Sequence, residues 1–203
     1  NSGSPGDLTR VRNGIGYLYC QKEDFRRALL FYREALATVL EKEDFPEISN
    51  TFYNIAWLYY ITHQYGDALT VLKDLFEILK LRDVVYFPFH SLHDVFILQG
   101  LCYFAQGMVV HAEQMVESSI NLSIPLSDEG ALFRPLLKSL ICTSHLQKEA
   151  AFEELTVAGE VYRRHAQLTV QSDLIYHNIS TMVLRRWGDT ERALSHARDA
   201  VKI

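Results

Sequence analysis

Small and aromatic side chains recur along this chain at helical spacing. Gly16 and Tyr19 are followed by Ala28, Tyr32 and Ala35, each set stepping by three or four residues. Residues so spaced share one face of a helix. The segment therefore reads as two antiparallel helices whose small residues let the backbones approach while an aromatic ring fills the gap beside them. The pattern returns as Ala56, Tyr59, Ala68, Leu72 and Leu75, then as Gly100, Tyr103, Ala112, Val116 and Ser119. Fainter copies hold Ser139, Cys142, Ala151, Leu155 and Ala158, then Thr181, Leu184, Ala193, Ala197 and Ala200. Its steadiest member is an alanine early in the second helix, at Ala28, Ala68, Ala112, Ala151 and Ala193. The pattern predicts helices near 8–21, 25–43, 47–62, 66–82, 90–106, 109–123, 129–145, 149–166, 170–186 and 190–203.

Turn residues support this register. Trp187-Gly188-Asp189-Thr190-Glu191 offers a glycine to end one helix and an Asp or Thr to cap the next. Gly107 precedes Ala112 as Gly188 precedes Ala193, by five residues. The second unit fits less well, because Gly66 and Asp67 stand immediately before Ala68. Asp44-Phe45-Pro46, Phe87-Pro88 and Ile124-Pro125 punctuate the boundaries between units, since proline lacks a donor and biases its predecessor away from the helix. Pro135 falls inside a predicted helix and is expected in its first turn, where a missing N–H costs little.

The Gly and Tyr on the first helix, with Ala, a large residue and a second small residue on the next, resemble the tetratricopeptide repeat (TPR) consensus. The resemblance implies an all-α, right-handed superhelical solenoid of about five helix-turn-helix repeats. The anchor alanines lie 40, 44, 39 and 42 residues apart, longer than the roughly 34 of the standard repeat, so helices or connections must be extended. In such a stack the first helices line a concave inner wall. That register presents Arg10, Asn13 and Tyr17 from the first unit, Asn50, Tyr53, Asn54 and Trp57 from the second, Asp94 from the third, and Asn178 and Arg185 from the fifth. An extended peptide exposes unpaired backbone N–H and C=O groups. Asn can pair with both while aromatic rings supply apolar pockets, so these ten residues are the candidate peptide-binding set.

TPR adaptors for chaperone tails resemble one another in a clamp of Lys, Arg and Asn for two carboxylates. Asn54 matches one Asn, but Asn13, Asp94 and Leu98 stand where cations would be needed. The long period, aromatic inner wall and dispersed Asn are more similar to the sensor domain of the Gram-positive peptide-pheromone regulators, the Rap, NprR and PlcR group. That resemblance implies a bacterial, cytoplasmic regulator whose groove binds a short peptide and whose attached effector carries the output. The alternative is a structural scaffold for protein–protein assembly or homo-oligomerisation.

Composition narrows these readings. Residues 1–159 carry thirteen Lys and Arg against twenty Asp and Glu, a field that repels a phosphate backbone and argues against direct nucleic-acid contact. The three cysteines are widely spaced and never paired as C-x-x-C, so they read as buried free thiols of a reducing compartment. No apolar run long enough for a membrane helix is present. Residues 1–7 read as a linker or cloning remnant ahead of a single solenoid domain over 8–203, and the whole as a fragment of a longer protein. The final stripe of Ala193, Leu194, Ala197, Ala200 and Val201 predicts further helices or a homodimer through the C-terminal end.

Nothing points to catalysis, a metal or a cofactor. His90, His93 and Asp94 could share a helix face but lack an H-E-x-x-H arrangement and sit at a helix start, where capping explains them. Cys142 and His145 are one turn apart without a third orienting group. The adjacent pairs Asp128-Glu129 and Glu153-Glu154 read as solvated charge.

Overall fold

The computed structural model describes residues 5–40, 43–81, 83, 86–87, 90–164 and 169–202. Pro88 and Ile203 lie outside the described residues. Among the described residues ten helices run in order: α1 (Pro5–Gln21), α2 (Phe25–Leu40), α3 (Phe45–Ile61), α4 (Tyr65–Leu81), α5 (Leu92–Ala105), α6 (Val109–Ile120), α7 (Asp128–Ser144), α8 (Lys148–Arg164), α9 (Val170–Arg186) and α10 (Thr190–Lys202). A small antiparallel hairpin separates α4 from α5. It pairs β1 (Tyr86–Phe87) with β2 (His90–Ser91), matching Tyr86 to Ser91 and Phe87 to His90. Consecutive helices pack as five hairpins, α1 on α2 through α9 on α10, and the first helices of successive units also touch one another.

The anchor alanines are where the hairpins close. Ala28, Ala68, Ala112 and Ala151 are wholly buried and Ala193 nearly so. Gly16 shows why the facing position must be small, since a Cβ there would stand 2.6 Å from the Tyr32 ring. Three apolar clusters result, joined by side chains that pack against two of them: Tyr59 and Val71 between the first and second, Trp57 and Tyr60 between the second and third. Each unit thus buries its face chiefly against its neighbours, as a stacked array requires.

Every intra-unit turn has one geometry, which the sequence only partly displays. Glu23, His63, Gly107, Leu146 and Gly188 each stand five residues before an anchor alanine, and all adopt positive φ between 58° and 80°. In each, the next residue's N–H reaches back to a carbonyl of the preceding helix: Asp24 to Tyr19, Gln64 to Tyr59, Met108 to Tyr103, Gln147 to Cys142 and Asp189 to Leu184, at 2.8 to 3.0 Å. With the accompanying bond from the positive-φ residue itself, which spans three residues instead of five, this is a Schellman closure of the first helix. The second unit is therefore as regular as the others. Its turn is Thr62-His63-Gln64, while Gly66 and Asp67 lie in the first turn of α4.

Three sequence expectations are corrected. Pro135 is not in a first turn, because Ser127 caps α7 by accepting the Gly130 N–H at 2.9 Å, which places the buried proline two turns inside the helix. Residue 90 does not begin a helix: His90 belongs to β2 and α5 starts at Leu92, so His90, His93 and Asp94 share no helix face. Residues 5–7, expected as linker, belong to α1, which opens at Pro5. The long period has two sources. Seven of the ten helices reach 16 or 17 residues, and the hairpin lengthens the widest spacing, from Ala68 to Ala112.

Candidate functional site

The stack curls until its first and last units meet, where Gln21 at the end of α1 donates an amide hydrogen to Gln171 at the start of α9. The inner face of the curl holds a cavity of about 1330 Å³ that opens to solvent. From α1 it is lined by Arg10, Asn13, Gly14, Tyr17 and Cys20; from α3 by Glu47, Asn50, Tyr53, Asn54 and Trp57. Tyr32 and His90 join this wall. The facing wall comprises Leu126, Ser127, Asp128 and Glu129 at the start of α7, Arg164 at the end of α8, and Thr169 and Gln171 at the start of α9.

Seven of the ten sequence candidates line this cavity: Arg10, Asn13, Tyr17, Asn50, Tyr53, Asn54 and Trp57. The Arg10 Nε–H donates to Glu47 Oε1 at 2.8 Å. Asn13 is buried and gives its amide to Thr51 Oγ1 at 2.9 Å. Trp57 stacks on Phe133 of α7 with ring centroids 5.5 Å apart and tilts against Tyr60 at the same distance, so one indole joins the second unit to the fourth. Tyr53 is buried against the His90 ring, centroids 4.0 Å apart, and burial pushes its phenol pKa up. The same desolvation lowers His90 to about 3, leaving a neutral imidazole in the wall.

The other three candidates do not line it. Asn178 is exposed on α9, Arg185 likewise, and Asp94 is buried beneath the site. Asp94 Oδ2 accepts the Ser91 N–H at 2.6 Å and the Ser91 hydroxyl at 3.0 Å, while Oδ1 accepts the Ser127 hydroxyl. It thereby ties the start of α5 to the start of α7. Burial raises its pKa despite those donors. A Cβ on Gly130 would stand 2.8 Å from Asp94 Oδ1, so that glycine permits the approach. His93 pins the following connection. Its Nε2–H donates to the Ile124 carbonyl at 2.7 Å, which leaves Nδ1 to accept from the Ser119 hydroxyl at 3.0 Å. Leu98 and Leu101, farther along α5, are core residues, not groove residues.

Sequence reasoning missed Glu47 and the whole facing wall. Asp128-Glu129 is not simply solvated charge: the Ser172 hydroxyl donates to Glu129 Oε1 at 2.8 Å, Thr169 adds a longer bond, and burial raises the Glu129 pKa, with nearby Asp94 adding to the rise. These residues stand at unit boundaries, where an inner-helix register gives no sign that two helix starts converge. Three Ser/Thr residues just ahead of or inside α7 and α9, Ser127, Thr169 and Ser172, were the available signal.

Elsewhere the chemistry is quiet. Cys20 and Cys102 are buried thiols, whereas Cys142 is only half-buried; burial raises the pKa of all three. His145 faces Glu113, Nε2 to Oε1 2.6 Å, and Glu154 pairs with Lys138. Among the described residues no group of three His, Cys, Asp or Glu side chains could hold a metal ion, and no helix is long and apolar enough to cross a membrane.

Five helical hairpins stacked on their inner helices define a TPR-like solenoid. Solved structures with this fold include BtubC (BKLC) from P. vanneervenii, with TM-score 0.65 and 17% identity over 98% of this chain and 80% of that one. The MamA RS-1 ArsTM double mutant gives TM-score 0.52 and 17% identity over 100% and 96%. At these identities the likeness is one of fold. No protein-family model and no curated protein matches the sequence.

Proposed function

We propose that this chain is a peptide-binding module whose cavity takes a short extended segment. One observation carries the reading: a single cavity of about 1330 Å³ gathers amides and aromatic rings from successive inner helices. It exceeds the roughly 300–1,000 Å³ of small-molecule pockets. The Asn side chains pair with peptide backbone, and Tyr17 and Trp57 receive its apolar side chains. Asn54 and Asn50 are the central contacts of this reading, with Asn13 and Arg10 at one end. Asn178 and Arg185 would meet only a segment that extends beyond the cavity.

The finer reading is a cytoplasmic sensor, as in the peptide-pheromone regulators. A segment seated between α3 and α7 touches both halves of the curl, so it favours the arrangement in which Gln21 meets Gln171 and can pass occupancy to an attached effector. The test is thermal: a saturating pool of random octapeptides raises the melting temperature of the wild type, and Asn54→Ala removes the rise without lowering the melting temperature of the free protein. A pool that stabilises neither protein, or both equally, would contradict the reading.

A homodimer through the C-terminal helices is the second reading, supported by Leu194 and Val201, 48% and 88% exposed on α10. Light scattering decides it: dimer mass at high concentration that Leu194→Glu reduces to monomer supports the contact, and monomer mass throughout contradicts it.

A further inference from the structure

We infer that the cavity recognises a positively charged group, the ammonium or guanidinium of a peptide, seated between Asn13 and Glu47; this rests on the peptide-binding reading above. The argument begins with Thr51. Its hydroxyl donates to the Glu47 carbonyl at 2.8 Å, so its oxygen can only accept from Asn13, whose Nδ2 stands 2.9 Å away. That chain fixes the Asn13 amide: the NH₂ faces Thr51 and Oδ1 is left over. Asn13 is 5% exposed, and Oδ1 has no hydrogen-bond partner among the described residues.

Glu47 repeats the situation one step away. Oε1 accepts from Arg10, but Oε2 is buried without a hydrogen-bond partner among the described residues, on a side chain only 2% exposed. Both residues line the cavity. A buried acceptor without a donor is costly, the more so when it belongs to a carboxylate. Two such atoms beside one cavity call for a ligand group that donates several hydrogens and accepts none. An ammonium offers three donors and a guanidinium five, and neither accepts.

The surrounding charge selects the same group. Among the described lining residues, the acids Glu47, Asp128 and Glu129 outnumber the bases Arg10 and Arg164, and both arginines hold their side chains mostly in solvent. Asp94 lies directly behind Ser127. A carboxylate or phosphate entering here would meet this field and two spare acceptors. A cation satisfies both, and its charge also lowers the cost of ionising the buried Glu129.

The experiment is calorimetric titration of the intact chain with four random octapeptide pools. Three are acetylated and amidated, with one central position fixed as Arg, Glu or Leu; the fourth fixes Leu and keeps a free amino terminus. The inference expects the Arg pool, the free-amine pool or both to bind about tenfold more tightly than the acetylated Glu and Leu pools. Which of the two does so tells a side chain from an amino terminus. It further expects Glu47→Gln to erase that advantage while leaving the acetylated Leu pool unchanged. Where Glu47→Gln fails to fold as judged by its melting curve, a pool with citrulline, an uncharged near-isostere, fixed in place of Arg is titrated into the wild type instead and is expected to lose the advantage. Equal binding by all four pools, or an advantage that survives these substitutions, overturns the inference and leaves peptide binding intact. No binding by any pool overturns both.

Discussion

Leu146 shows how much conformational strain this architecture tolerates for regularity. It adopts φ 60° in the turn before Ala151 and is 64% exposed, so its side chain gains little burial there. The left-handed region costs an ordinary residue roughly 1–2 kcal/mol, against about 0.5–1 kcal/mol of extra entropy lost when glycine is ordered. Leu146→Gly is therefore expected to stabilise by about 0.5–1 kcal/mol, and Gly188→Ala, at φ 80°, to destabilise by about 1 kcal/mol. Thermal melts check both: for a chain of this size the shifts are about 1–4 °C in opposite directions. Glu129 gives a second residue-scale expectation, in pH. Burial raises its folded pKa above the unfolded value, so the stability tied to its protonated form is complete below the ordinary carboxylate range and is lost as pH rises through the folded value. Glu129→Gln escapes that loss. Its melting temperature relative to wild type should climb as pH rises above the ordinary carboxylate range; a difference that stays flat would show that the Glu129 charge is not buried.

At the scale of elements, the helices were readable because small residues at three- and four-residue steps have one physical use, close approach. All five anchor alanines serve it, and the predicted helix boundaries fall close to the observed ones. Turn chemistry was legible only where glycine marks it, at Gly107 and Gly188. Glu23, His63 and Leu146 adopt the same geometry because the stack imposes it, which no local preference would announce. Of the β1–β2 hairpin, His90 and Ser91 were read as the start of a helix, because a strand of two residues is too short to show a period of its own. The candidate site divides along the same line. The α1 and α3 residues could be placed from periodicity alone, whereas Asp94 looked like part of the groove and is a clasp. That clasp is testable. Ser127→Ala removes both the α7 cap and the donor to buried Asp94, and should cost about 2–3 kcal/mol. In a double-mutant cycle with Asp94→Asn the two changes should couple by about 1–2 kcal/mol. Additive effects would show that the two helix starts are held independently.

The whole molecule adds what neither residues nor elements contain, a curl that brings residue 21 to residue 171 and turns a row of inner helices into one concave space. Charge at this scale also differs from the linear reading. The excess of acid over base along residues 1–159 seemed to concern nucleic acid alone, yet part of it, as Glu47, Asp128 and Glu129, faces into the cavity. A wall made from residues more than a hundred positions apart leaves no trace in spacing. The central claim is that a peptide sits inside this curl, and hydrogen–deuterium exchange with and without a saturating arginine-fixed octapeptide pool tests it most directly. Protection should appear in α1, α3 and the start of α7, with α4, α6 and α10 unchanged. Protection on those outer helices instead, or none anywhere, would contradict the account.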